Sequence, residues 1–154
     1  MKRFIYCIRF IFLWLVFSNF QCNEEPWVHS SWHVHNKTTE TLIINITKTI
    51  GEPIERVLKP GETVPIIGNN LPMDVNHNFE QLYEVLHTDS LNEGKVTAVV
   101  KSENGDVLKT WTYVQREDAG RQFFAEKYWP LAILNSGMDF IWVFSILPED
   151  LPNQ

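Results

Sequence analysis

Apolar and polar positions alternate with a period of two in several stretches of this chain, the spacing of strands that bury one face. Residues 41–48 show it most clearly: Leu42, Ile44 and Ile46 fall on one side, and Ile43, Asn45 and Thr47 on the other. A weaker alternation over 32–35 opens a first strand. The turn-rich stretch 36–40 then joins it to the second as a hairpin. A loop with Gly51 and Pro53 follows, and Val57-Leu58 leads into Lys59-Pro60-Gly61-Glu62. Pro then Gly suits the centre of a type II turn, because Gly accepts positive φ. Residues 63–67 form a short strand that Gly68-Asn69-Asn70 ends.

The period then changes. Phe79, Leu82, Tyr83 and Leu86 stand at helical spacing, with Asn78 as the cap of a short helix. Strands resume at 95–101 and 107–114. Between them lies Asn104-Gly105, a two-residue hairpin signal that calls for positive φ at both positions. The charged stretch 116–127 holds Phe123-Phe124 and reads as a short helix or a long loop. Residues 128–134 begin a strand in which Pro130 predicts an edge position. Asn135-Ser136-Gly137 turns the chain. Residues 139–146 are apolar on both faces and belong inside a sheet. Pro148-Glu149-Asp150-Leu151 ends the domain. These elements predict a mainly β, single two-sheet antiparallel β-sandwich, Ig-like, of about seven strands with one short helix. Trp32, Trp111, Trp129 and Trp142 lie in or beside strand-like runs among Ile, Val and Phe. They read as core residues, not as exposed rings that stack on sugars.

The N-terminus has a different pattern. Met1-Lys2-Arg3 is basic, residues 10–17 are continuously apolar, and Ser18-Asn19-Phe20-Gln21 leads into Cys22. This is the layout of an export signal. It resembles a bacterial lipoprotein signal, in which the cysteine becomes the acylated first residue. Asn19 and Gln21 depart from the usual Leu and small residue of the lipobox, and looser boxes of this kind are similar to those of the Bacteroidota. The acidic Asn23-Glu24-Glu25 resembles that phylum's surface-export signal. The resemblance implies a signal peptide at 1–21, a lipidated linker at 22–31 and a sandwich domain at 32–154. It places the protein at the cell envelope as an outer-membrane lipoprotein, with surface exposure implied by the acidic stretch. Ordinary secretion lacks an A-x-A-like site here. An uncleaved anchor would have to carry Arg9 within a run too short to span a bilayer.

Removing 1–21 takes away Lys2, Arg3 and Arg9, so ten basic residues face nineteen acidic ones and the net charge is −9 with neutral histidine. Such a domain repels nucleic acid and anionic lipid faces. Cys7 leaves with the signal. The fold therefore rests on its core, without a disulfide. Three further motifs resemble small Bacteroidota lipoproteins of uncharacterised function: the opening His35 to Ile44, the Leu-Lys-Pro-Gly-Glu turn at 58–62 and the ending Pro-Glu-Asp-Leu at 148–151. That family supplies no activity or site residues to carry over.

Chemistry is sparse. His33 and His35 share a strand face and are the candidate metal pair, with His29 four residues earlier; His77 and His87 lie far off in sequence. Surface or edge-strand positions beside a carboxylate are the plainer reading of these histidines. Glu24/Glu25, Glu117/Asp118 and Glu149/Asp150 are adjacent pairs, which point apart on a strand and sit about 100° apart on a helix, so none makes an acid–base couple. No G-x-S-x-G elbow, P-loop or G-x-G-x-x-G occurs. The reading is a non-enzymatic envelope protein, held to the membrane through lipid on Cys22, binding a protein or glycan partner without cofactor. The alternatives are a metal-assisted hydrolase using His33 and His35, or a secreted immunity or inhibitor protein.

Overall fold

A computed structural model describes residues 27–73, 77–86 and 95–152. The signal, Cys22, Glu24/Glu25 and His87 lie outside the described residues. Among the described residues eight strands form two four-stranded sheets. They are β1 (Trp27–Asn36), β2 (Leu42–Ile46), β3 (Ile54–Leu58), β4 (Thr63–Pro72), β5 (Thr97–Ser102), β6 (Val107–Thr112), β7 (Leu131–Leu134) and β8 (Asp139–Ile146). One short helix, α1 (Gln81–Val85), lies between β4 and β5. The first sheet runs β4-β1-β8-β7 and the second β3-β2-β5-β6. This is a mainly β two-sheet sandwich, as the alternation predicts.

The core follows the period of two. Leu42, Ile44 and Ile46 on β2 face Val34, Trp142, Phe144 and other inward residues, and all of these are buried. Trp32, Trp111, Trp129 and Trp142 are buried in the same cluster. Trp32 and Trp142 sit opposite one another on neighbouring strands and stack at 5.0 Å with planes 7° apart. β8 lies inside its sheet and β7 at its edge, as Phe140–Ile146 and Pro130 imply.

Several expectations are corrected. The first strand begins at Trp27, within the stretch read as linker, because β4 extends to Pro72 and pairs with it along its whole length. Gly68 does not end β4. A Cβ there would meet His29 Cε1 at 3.1 Å, so the glycine admits the His29 ring while the ladder continues. The sheets are not wholly antiparallel: β1 and β8 pair in parallel, from His29↔Asp139 to Asn36↔Ile146.

β1 and β2 do not form a hairpin either. They belong to different sheets. The crossing is built by Asn36, whose buried side chain accepts from Thr38 N at 2.9 Å and Thr38 Oγ1 at 2.8 Å. It donates to Glu40 O at 2.8 Å and Leu58 O at 3.0 Å. An Asn that satisfies its own turn in this way redirects the chain in place of continuing a ladder.

Residues 54–58 are a strand, not a loop. As an edge strand, β3 buries only Leu58 and leaves Glu55, Arg56 and Val57 exposed, so it shows no alternating apolar signature. Arg56 Nε donates to Pro65 O at 3.1 Å and ties this edge to β4 of the other sheet. The turn after it is type II as predicted, with Gly61 at φ +74° and Glu62 N donating to Lys59 O at 3.0 Å.

The β5–β6 loop has three residues, not two. Ser102 N donates to Asp106 O at 2.9 Å, Gly105 N donates to Ser102 O at 3.0 Å, and only Gly105 has positive φ, at +91°. That is a turn followed by a glycine bulge. The helix starts at Gln81 with Glu80, not Asn78, at the N-cap position, and the Glu80 side chain makes no cap bond. Burial of Phe79, Leu82 and Leu86, which decides this one-and-a-half-turn segment, outweighs a local cap.

Candidate functional site

The sandwich carries a cleft of about 460 Å³ among the described residues. Three segments build it: Phe79, Glu80 and Tyr83 at α1, Tyr113, Arg116 and Glu117 after β6, and Ala125 to Lys127 before β7. Its volume lies in the range of ordinary small-ligand sites.

The floor is aromatic. Tyr83 meets Phe79 edge-on at 5.6 Å and Tyr113 at 4.9 Å. Tyr113 in turn meets Phe124 at 5.9 Å. The Tyr83 hydroxyl donates to Phe124 O. Burial, with Tyr113 next, pushes the Tyr83 phenol far above its usual value, while Arg116 opposes and Glu126 and Glu117 add to the rise. Tyr83 therefore stays protonated at neutral pH and serves as a fixed donor.

The rim is charged. Glu80, Glu117 and Glu126 supply carboxylates, and Arg116 and Lys127 supply cations. The Arg116 guanidinium lies 4.1 Å over the Tyr113 ring and donates to Tyr113 O at 3.2 Å. This cation–π contact gives the head group a defined position.

The charged stretch 116–127 fits a short helix or a long loop by sequence. It is a loop ending in a single 3₁₀ turn at Glu126–Tyr128, and Phe123 and Phe124 plug it into the core. Arg121 fixes it from behind. Its Nε pairs with the Asp150 carboxylate at 3.2 Å, and its Nη2 donates to Ser145 O at 2.7 Å. The Arg121 carbonyl accepts from Trp111 Nε1 at 2.9 Å. Of the adjacent acid pairs, Glu117 thus lines the cleft and Asp150 anchors its loop. No sequence motif marked the cleft. The one usable signal was a charged run interrupted by two phenylalanines.

His29, His33 and His35 stand on the outer face of β1, as their spacing predicts. β1 is a central strand, and among the described residues these three histidines bond polar side chains and no carboxylate. His29 Nδ1 bonds Asn70 Oδ1 at 2.8 Å, His33 Nε2 bonds Ser31 Oγ at 3.0 Å and His35 Nδ1 bonds Thr63 Oγ1 at 2.8 Å. Burial, and then the charge of His29, lowers the His33 pKa below its ordinary value. Among the described residues no group of three His, Cys, Asp or Glu is arranged to hold a metal ion. His77 is elsewhere, on the inner side, with Nδ1 3.2 Å from Ser30 Oγ and its ring stacked on Phe140. Comparison with protein-family models, with curated proteins and with solved structures gives no match for this chain.

Proposed function

We propose that this chain is a lipid-anchored envelope protein whose β-sandwich is a non-catalytic binding domain, and that its cleft takes a glycan. The observation that carries the reading is the cleft's composition: carboxylates and a guanidinium held around an aromatic floor. Each sugar hydroxyl is both donor and acceptor. Neighbouring hydroxyls on one ring match a carboxylate on one side and the fork of an arginine on the other. The half-buried Tyr83 ring adds an apolar contact for the C–H groups of a sugar. The locked Tyr83 donor and the pinned loop favour a rigid receptor over a group that moves protons. Anchoring rests on Met1-Lys2-Arg3, the apolar run and Cys22, the arrangement of an outer-membrane lipoprotein.

Purified full chain on a glycan array tests the binding role. We expect at least one glycan class to bind, and Arg116→Ala/Glu126→Ala to weaken it more than tenfold with melting retained. An array without binding, or a double variant that binds as well as the parent, removes the glycan reading. A separate fractionation tests the anchor: Cys22→Ala shifts the protein from the membrane to the soluble fraction. Unchanged membrane partition would mean that lipid on Cys22 is not what holds it.

A further inference from the structure

One end of the β4-β1-β8-β7 sheet exposes an apolar side chain at every strand. Met73 follows β4 and is 56% exposed; Trp27 opens β1 and is 60% exposed; Met138 precedes β8 and is 46% exposed; Leu134 ends β7 and is 50% exposed. The register puts them in one row. Trp27 pairs with Pro72, beside Met73. His29 pairs with Asp139, and His29 N donates to Met138 O at 2.8 Å. Leu134 pairs with Asp139. No Lys, Arg, Asp or Glu occurs at 27–28, 71–73 or 134–138, although acidic residues outnumber basic ones in the chain as a whole. The turn that presents Leu134 and Met138 is strained: Asn135 and Ser136 both take positive φ, at +49° and +58°. Such outliers persist where the surroundings hold them and cluster at functional sites. An uncharged apolar row of this kind marks an interaction surface.

The position of Cys22 identifies the occupant. It lies five residues before Trp27, so its reach from the start of β1 is at most about 18 Å. We infer that this end of the sheet rests on the bilayer, with Trp27 in the headgroup–acyl boundary and Met73, Met138 and Leu134 beside it. The inference builds on the lipid anchor proposed above. Tryptophan is the residue that favours this boundary, and two weak membrane signals together make a stable attachment where one acyl chain alone is marginal. Asp139 pairs with Leu134, and Glu24, Glu25 and Asp74 stand close to Trp27 and Met73 in sequence; these carboxylates repel anionic lipid, so the matching surface is zwitterionic. Docking in this pose holds the sandwich upright on its anchor and restricts its swing.

Trp27 reports on this directly, because Trp32, Trp111, Trp129 and Trp142 are buried. A Trp14→Phe background removes any signal from the N-terminal segment. Full chain purified from cells and reconstituted in phosphatidylcholine vesicles with brominated acyl chains should show quenched tryptophan emission. Adding Trp27→Phe should abolish that quenching, and vesicles should shield Trp27 from iodide. Protein that sediments with the vesicles yet shows no bromine quenching of Trp27 overturns the docking and leaves the anchor intact. A Cys22→Ala chain that still sediments defeats the anchor instead, and bromine quenching of its Trp27 then decides docking separately. Shielding from iodide before vesicles are added means that a second copy or the chain's own N-terminal segment covers the row, which also overturns the proposal.

Discussion

Replacing Asn36 by alanine should weaken the domain more than any other single polar change in the β1–β2 crossing. The side chain is wholly buried and makes four hydrogen bonds, at 2.8 to 3.0 Å. Its own backbone pairs as well, with Asn36 N donating to Glu62 O at 2.9 Å and Gly61 N donating to Asn36 O at 2.8 Å. One residue thus ties together the end of β1, the crossing to β2, the end of β3 and the type II turn. Alanine leaves the carbonyls of Leu58 and Glu40 and the Thr38 N–H without that partner. The Thr38 hydroxyl keeps a second acceptor, Glu40 O at 3.3 Å. Three backbone groups losing about 1 kcal/mol each give a loss of about 3 kcal/mol. That is a large share of the 5–15 kcal/mol typical of a domain, and corresponds to a drop of roughly 10 °C in Tm. Guanidinium unfolding, followed by tryptophan emission, measures it. The midpoint should fall while the slope is unchanged. Asn36→Asp sharpens the test: it keeps the acceptors, loses both donations and buries a charge. Its deficit should therefore shrink as pH falls and the acid regains a proton to donate. A loss below about 1 kcal/mol in Asn36→Ala would refute the claim that this side chain fixes the crossing.

Trp142→Ala should cost about 3–5 kcal/mol by equilibrium unfolding, because it empties a core site stacked on Trp32; a near-native melt would contradict the core assignment. Gly105→Val should cost about 1–2 kcal/mol through backbone strain alone, since φ is +91° and nothing lies within 4 Å of an added Cβ; melting within a degree of the parent would show that the loop relaxes freely. The lowered His33 pKa means that the unfolded chain takes up a proton first as pH falls below 6.5. Stability from this group is complete above that pH and declines below it, so the wild type should lose more stability than His33→Asn between neutral pH and pH 5; parallel pH profiles would argue against it.

Side-chain alternation determined which face is buried where a strand has one face on the core, as in β2 and β8. Leu42, Ile44 and Ile46 turn inward, the four core tryptophans follow them, and the doubly apolar 139–146 lies within its sheet while Pro130 opens an edge strand. Pro60-Gly61 determined its own turn, because a local φ requirement needs no tertiary context. Alternation says nothing about which strand is the neighbour. The ladder is made by backbone groups that every residue carries, so pairing is chosen by how the inward side chains fit. The Trp32–Trp142 stack accompanies the parallel pairing of β1 with β8, and Asn36 sends the chain to the other sheet where turn-rich residues suggested a hairpin. β3 carries no alternating signature because it buries Leu58 alone. The cleft was least legible: its parts come from 79–83, 113–117 and 125–127, and only packing of Phe123 and Phe124 into the core, with Arg121 on Asp150, brings them to one place.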